Sequence, residues 1–193
     1  MAKKIFLILG HPNKNSFCNA LADAYERGAK NSNAEIKRIN LADLNFDLVL
    51  HEGFKGKQTL EPNLKKAQDD ILWAEHLVFV YPIWWGVFPA LLKGFIDRVF
   101  LPGFGFKYRP NSSMWDKLLT GKTAKLITTS DAPNFYFNWI VGKPAHRAMK
   151  KATLEFCGIK PVKITSFGSV RFADDAKRSR WLKQIESLGG ECQ

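Results

Sequence analysis

The chain has no long apolar run. The one at its start, Ile5 to Leu9, holds five residues, too few for a membrane span or the core of a secretion signal. Nothing else approaches transmembrane length. Cysteine is scarce: Cys18, Cys157 and Cys192 make an odd count with no CxxC pair. That excludes a disulfide scaffold and suits reduced thiols in the cytoplasm. Histidine is also scarce, at four residues. No cysteine–histidine cluster has zinc spacing. His51, His76 and His146 fall on different predicted elements without carboxylate spacing, so no metal is expected. Glycine-rich phosphate loops are missing too. The stretch GHPNKNSFCNAL is neither a GxGxxG fingerprint nor a Walker A loop. Acidic residues are outnumbered, 18 against 29 basic ones, for a net charge of +11. Such a surface is either solvated or favours anionic partners, among them phosphorylated small molecules. No RNP-like strand or GxxG clamp is present, so nucleic acid is not an expected partner.

What is present is a regular alternation. With 193 residues and 46% hydrophobic composition, the chain fits one domain over residues 1–193. Apolar runs at Lys4–Leu9, Ala34–Asn40, His76–Tyr81, Ala124–Thr129 and Val162–Phe167 read as strands. HLVFVY is apolar enough to be buried on both faces. Helical spacing covers Phe17–Lys30, Leu60–Ala74, Ala90–Phe100 and Ala173–Leu188. A further helix over Asn138–Phe156 is interrupted near Gly142 and Pro144 and ended by Gly158. Asn45–Gln58 and Leu101–Leu119 read as long loops. Strands alternating with helices predict an α/β fold with one parallel sheet and helices on both faces. In such sheets ligands bind beyond the carboxyl ends of the strands, at the switch point.

Three segments follow those ends. In the first, free amides at a helix N-terminus favour an anion. Ser16 adds a hydroxyl there, and His11 and Asn15 add side-chain donors. Ser16 alone also reads as a plain helix cap. The second segment is YPIWWGVFPALLKGFIDRVF. Trp84 and Trp85 cannot both face one core, so at least one becomes a flat wall beside a cleft or a lid or interface contact. The third, TTSDAPNFY, puts small polar residues after a strand and a phenol at Tyr136. It is a ligand edge or a simple polar loop. Lys143, Arg147, Lys150 and Lys151 share one side of a predicted helix, either a solvated face or an attractor for a phosphate. Asp97 and Arg98, adjacent in a helix, do not face each other, and each is expected to find another partner.

Taken together, KIFLILGHPNKNSFCNAL, VFVYPIWWGVFPALLKGFIDRVFLPGFGFKY, TTSDAPNFY and FCGIKPV resemble the NAD(P)H:quinone oxidoreductase family of flavodoxin-like proteins. The resemblance runs from the first strand to the fifth. It implies a flavodoxin-like three-layer sandwich with strand order 2-1-3-4-5. It also implies a tightly bound FMN or FAD, with NAD(P)H as co-substrate, and a homodimer whose active site lies at the interface. The absence of a long C-terminal extension favours FMN. By position, His11, Asn15, Ser16, Phe17 and Cys18 would line the flavin phosphate site, Cys18 standing where a polar residue is frequent. Pro82, Ile83, Trp84, Trp85 and Gly86 would border the isoalloxazine. Thr128, Thr129, Ser130 and Asp131 would lie near its pyrimidine edge, the last two where some members have glycines. Tyr136 matches a catalytic tyrosine that stabilises charge on the reduced flavin. The histidine that better-studied members place six residues later is Gly142 here, and the next histidine is His146. The implied activity is two-electron, ping-pong reduction of quinones or similar flat electrophiles, azo and nitro compounds included. Other readings are a one-electron carrier, an ancillary subunit of a potassium-efflux system, and a basic nucleic-acid binder.

Overall fold

The computed structural model describes residues 2–56 and 58–192. In chain order its elements are β1 (Lys4–Leu9), α1 (Phe17–Asn31), β2 (Glu35–Asn40), α2 (Pro62–Trp73), β3 (His76–Pro82) and α3 (Ala90–Val99). Then come β4 (Phe106–Tyr108), β5 (Trp115–Lys117), β6 (Thr123–Thr129), α4 (Pro144–Arg147), α5 (Glu155–Cys157), β7 (Val162–Phe167) and α6 (Asp175–Gly190). Five strands form one parallel sheet in the order β2-β1-β3-β6-β7. Counting only those strands, the order is 2-1-3-4-5, a flavodoxin-like arrangement. No helix among the described residues is long and apolar enough to cross a membrane.

The period of two along the central strands divides the core. Phe6, Ile8, Phe79, Tyr81 and Leu126 point to one face, where α2 and α3 deliver Ile71, Leu92 and Phe95. Ile5, Leu7, Val78, Val80 and Ile127 point to the other, against Leu21 and Tyr25 of α1 and Ile185 of α6. All seven residues of β3 are buried, as expected for a parallel strand covered on both faces. On the second face α1 and α6 approach closely. A Cβ at Gly28 would collide with the Glu186 carbonyl oxygen, and one at Gly189 with that of Tyr25.

Several boundaries differ from the sequence expectation. Strand β3 runs one residue further, with Pro82 opposite Thr129. A proline is tolerated at the last position because the ladder needs no donor beyond it. The stretch read as the loop Leu101–Leu119 contains an antiparallel hairpin of β4 and β5. Its aromatics drive this: Phe106 is buried, and Trp115 stacks on Phe156 with centroids 4.3 Å apart. The helix expected over Asn138–Phe156 is broken into wide π turns at Tyr136–Ile140 and Ala148–Leu154 with α4 between them. Gly142 (φ 80°) and Lys143 (φ 57°) make the first break. Within the second π turn the Thr153 hydroxyl donates to the Ala148 carbonyl five residues back, at 3.1 Å. The last helix starts at Asp175 rather than Ala173, because Asp174 accepts the Lys177 amide at 2.7 Å as its N-cap.

The irregular segment between β2 and α2 is held by one cation. Arg98 on α3 is fully buried. Its guanidinium donates to the carbonyls of Asp47 (2.5 Å) and Thr59 (3.0 Å) and to the Glu61 carboxylate (2.8 and 3.3 Å). Its neighbour Asp97 turns away to Lys93, so the two residues do take separate partners. Removing one member of such a buried pair strands the other. Arg98→Ala should cost roughly 3–5 kcal/mol, read as a lower urea midpoint. A loss below about 1 kcal/mol would show that the segment does not depend on this residue.

Candidate active site

The carboxyl ends of β1, β3 and β6 lie side by side, and a cavity of about 470 Å³ opens beyond them. This is the switch point of the sheet, where β1 leads outward to β2 and β3 leads the other way to β6.

From β1 the chain turns through His11 to Ser16 into α1. Ser16 is the N-cap, its Oγ accepting the Asn19 amide at 3.2 Å. The amides of Phe17 and Cys18, too early in the helix for an intrahelical acceptor, donate to no described group. No acidic residue stands in that first turn, so nothing opposes an anion there. His11 Nδ1 accepts the Asn13 amide at 2.9 Å. Burial lowers its pKa, and an amide donated to Nδ1 favours the same neutral form. The neutral ring therefore carries its proton on Nε2, free to donate. His11, Phe17 and Cys18 line the cavity. Asn15 and Ser16 do not; the Asn15 amide closes on Asn13 Oδ1 at 2.8 Å inside the turn.

From β3 the wall is Pro82, Ile83, Trp84, Trp85 and Gly86, all five of the residues expected there. The Ile83 amide donates to the Thr129 carbonyl at 2.7 Å. Trp84 and Val87 exchange both backbone hydrogen bonds, at 2.8 and 3.0 Å, around a two-residue turn of Trp85 and Gly86. Both turn residues have positive φ, 51° and 80°. Glycine takes this freely, but a tryptophan there is strained. The result separates the indoles. Trp84 meets the His11 ring edge-on at 5.4 Å, while Trp85 is fully exposed at the rim.

From β6, Thr129, Ser130 and Asp131 line the cavity and Thr128 does not, since successive side chains point to opposite faces. Thr129 Oγ1 lies 3.2 Å from Cys18 Sγ. Burial pushes that thiol up to about 12, against a lowering by the Thr129 contact, so it stays protonated and unreactive. The Ser130 amide is taken by the Phe167 carbonyl at 2.9 Å, and its hydroxyl by the Ala132 carbonyl. The amides of Asp131 and Ala132 donate to no other described group. Tyr136 is half-exposed at the mouth. Four lining residues escaped the sequence reading: Ala132, Phe137, Val141 and Val170. Phe137 and Val141 neighbour named positions, but Val170 arrives from the turn after β7, where no motif marked it.

His146 sits behind this wall. It is buried, edge-on to Phe137 at 5.0 Å. Its Nε2 lies 3.0 Å from Ser166 Oγ and 3.2 Å from Thr128 Oγ1, and the two hydroxyls are 2.7 Å apart. It does not line the cavity, so it takes no direct part at the place where the family histidine is missing. Burial, aided by the charge of Lys143, pushes its pKa down to about 4. No group of three or more potential metal ligands occurs among the described residues.

With this geometry in hand, similarity to known proteins is informative. The family profile described as flavodoxin-like fold matches residues 3–188. An uncharacterized NAD(P)H oxidoreductase of Haemophilus influenzae is 29% identical over 92% of this chain and 89% of its own length. The FMN-dependent NADH:quinone oxidoreductase of Macrococcus caseolyticus is 31% identical over 64% of this chain and 67% of its own. The crystal structure of Smu.1420 from Streptococcus mutans superposes with a TM-score of 0.83 at 30% identity, covering 97% of this chain and 98% of that one.

The buried histidine carries a pH signature. The folded state binds its proton near pH 4, whereas the unfolded chain binds it near 6.5. Below pH 6.5 the unfolded state therefore holds more protons, and stability falls as pH drops from about 6.5 to 4. His76, hydrogen-bonded to Thr123 at 2.6 Å and pushed down to about 3 mainly by burial, adds the same sign. Urea midpoints measured from pH 7 to 4 should decline, and His146→Asn should make the decline shallower by up to one proton. An unchanged slope in that variant would mean His146 is not held neutral.

Proposed function

This chain belongs to the flavodoxin-like fold family, and from that membership we propose an NAD(P)H-dependent oxidoreductase that binds FMN and reduces quinones by two electrons. The carrying observation is the switch-point cavity, with an anion-favouring helix start at one end and an aromatic wall beside it. Those features fit a flavin mononucleotide: a phosphate for the helix amides and a flat ring for the indole. The name of the Macrococcus relative carries the same cofactor and both substrate classes. Three free thiols, Cys18, Cys157 and Cys192, suit the reducing cytoplasm.

A bound flavin supplies two-electron hydride chemistry, and the protein orients it and tunes its charge. In this reading the amides of Phe17 and Cys18 and the Nε2–H of His11 hold the phosphate. Pro82, Ile83 and Trp84 border the ring. The free amides of Asp131 and Ala132 reach its polar edge. The Tyr136 hydroxyl donates a hydrogen bond where negative charge develops. His146, locked behind Thr128, does not share that task, so Tyr136 acts without a histidine beside it. Donor and acceptor would enter the same cavity in turn, which gives ping-pong kinetics.

The rim explains why a homodimer suits this site. Trp85, Phe135 and Ile140 are exposed by 67% or more, around a cavity that chemistry of this kind needs closed to water. A second copy covering them would shield the mouth in each protomer.

Three outcomes are expected. Purified protein should be yellow, release FMN, and bleach directly under NADPH. Tyr136→Phe should keep its flavin and slow bleaching by about 10²-fold, the order seen when one stabilising donor is lost. Unchanged stopped-flow rates would remove Tyr136 from the chemistry. Ile140→Asp should shift the sedimentation mass from dimer to monomer and lower activity. A native protein that sediments as a monomer would end the dimer reading.

A further inference from the structure

A second cavity, of about 370 Å³, lies on the far side of the wall formed by Tyr136 to Lys143. Tyr136, Phe137 and Val141 face the first cavity, whereas Asn138 and Lys143 line the second. Four cations surround it: Lys143, Arg147, Lys150 and Lys151. Only one carboxylate answers them. Glu155 pairs with Lys151 at 2.7 Å and stands 3.8 Å from Lys150, whose ammonium donates to the Val162 carbonyl at 2.9 Å. Arg147 makes no ion pair or hydrogen bond through its side chain among the described residues. Among the described residues the Lys143 ammonium meets only the Trp139 ring, 5.6 Å away. His146, Ser166 and Ile164 complete the lining.

Two free cations at a concave surface are unbalanced charge that an anion would neutralise. The neighbouring Trp139 is 82% exposed, a large indole with the Lys143 ammonium over one face and the other open to a stacking partner. Stacking surface and cations side by side match a nucleotide, whose base has a flat face and whose phosphate is an anion. The shared wall with the first cavity makes one ligand spanning both a natural fit.

We propose that this basic cleft binds the adenosine 2′-phosphate end of NADPH, with Arg147 and Lys143 on the phosphate and Trp139 under the adenine. The inference rests on the redox reading of the first cavity and makes the enzyme selective for NADPH over NADH. A guanidinium can grip a phosphate through two parallel N–H donors. Both cations are exposed, so their removal leaves the core intact.

The test uses 2′,5′-ADP as the probe, titrated calorimetrically into the full-length protein, with 5′-AMP as the comparison. The 2′,5′-ADP should bind more tightly than 5′-AMP and compete with NADPH in steady-state assays. The double variant Lys143→Ala with Arg147→Ala should weaken 2′,5′-ADP about tenfold or more, and lower the ratio of kcat/KM for NADPH to that for NADH by a similar factor. Equal binding of the two nucleotides, binding indifferent to the double variant, or binding without competition would each overturn the proposal. A protein that takes no flavin yet binds 2′,5′-ADP through Arg147 would sink the redox reading and leave the nucleotide cleft standing.

Discussion

The hydrogen bond from the Ile83 amide to the Thr129 carbonyl, 2.7 Å long, continues the pairing of β3 and β6 past the end of the strand. It fixes where the first aromatic wall begins relative to the polar edge of the cavity. The register beneath it is set by burial. Strand β3 is enclosed on both faces, so a slip of one residue would move every side chain into the wrong layer. The site thus inherits its precision from the core.

The aromatic turn depends on that anchor and adds strain to it. Trp85 in a left-handed conformation persists because Trp84 and Val87 close the turn on both sides and because the Gly86 carbonyl accepts the Ala145 amide at 3.0 Å. That last bond ties the turn to α4, the element that carries His146 and, one residue before it, Lys143. The first cavity, the buried histidine and the basic cleft are therefore parts of one packed unit.

Electrostatics divide the two cavities. The first offers partial positive charge from helix amides and a neutral histidine, suited to a buried phosphate and a ring of delocalised charge. The second offers full cations in contact with solvent. The net charge of +11 supports both by raising the local concentration of anions.

Much of the fold could be read from the sequence. The five strands of the sheet, the crossover helices and the three segments after strand ends follow from apolar periodicity, which is a local property. The individual cavity residues within those segments came from the resemblance to the quinone oxidoreductase family, not from periodicity. What periodicity could not reach came from contacts across the chain. The π turns that place Tyr136 and Phe137, the hairpin that buries Phe106, and the arrival of Val170 all depend on partners distant in sequence. Which of two neighbours takes a given place was also undecided until packing chose: Thr129 rather than Thr128 at the cavity, and Trp84 rather than Trp85 against His11, although both indoles line the cavity. Chain order establishes which residues can meet. Only the burial of side chains from separate elements against one another decides which of them do.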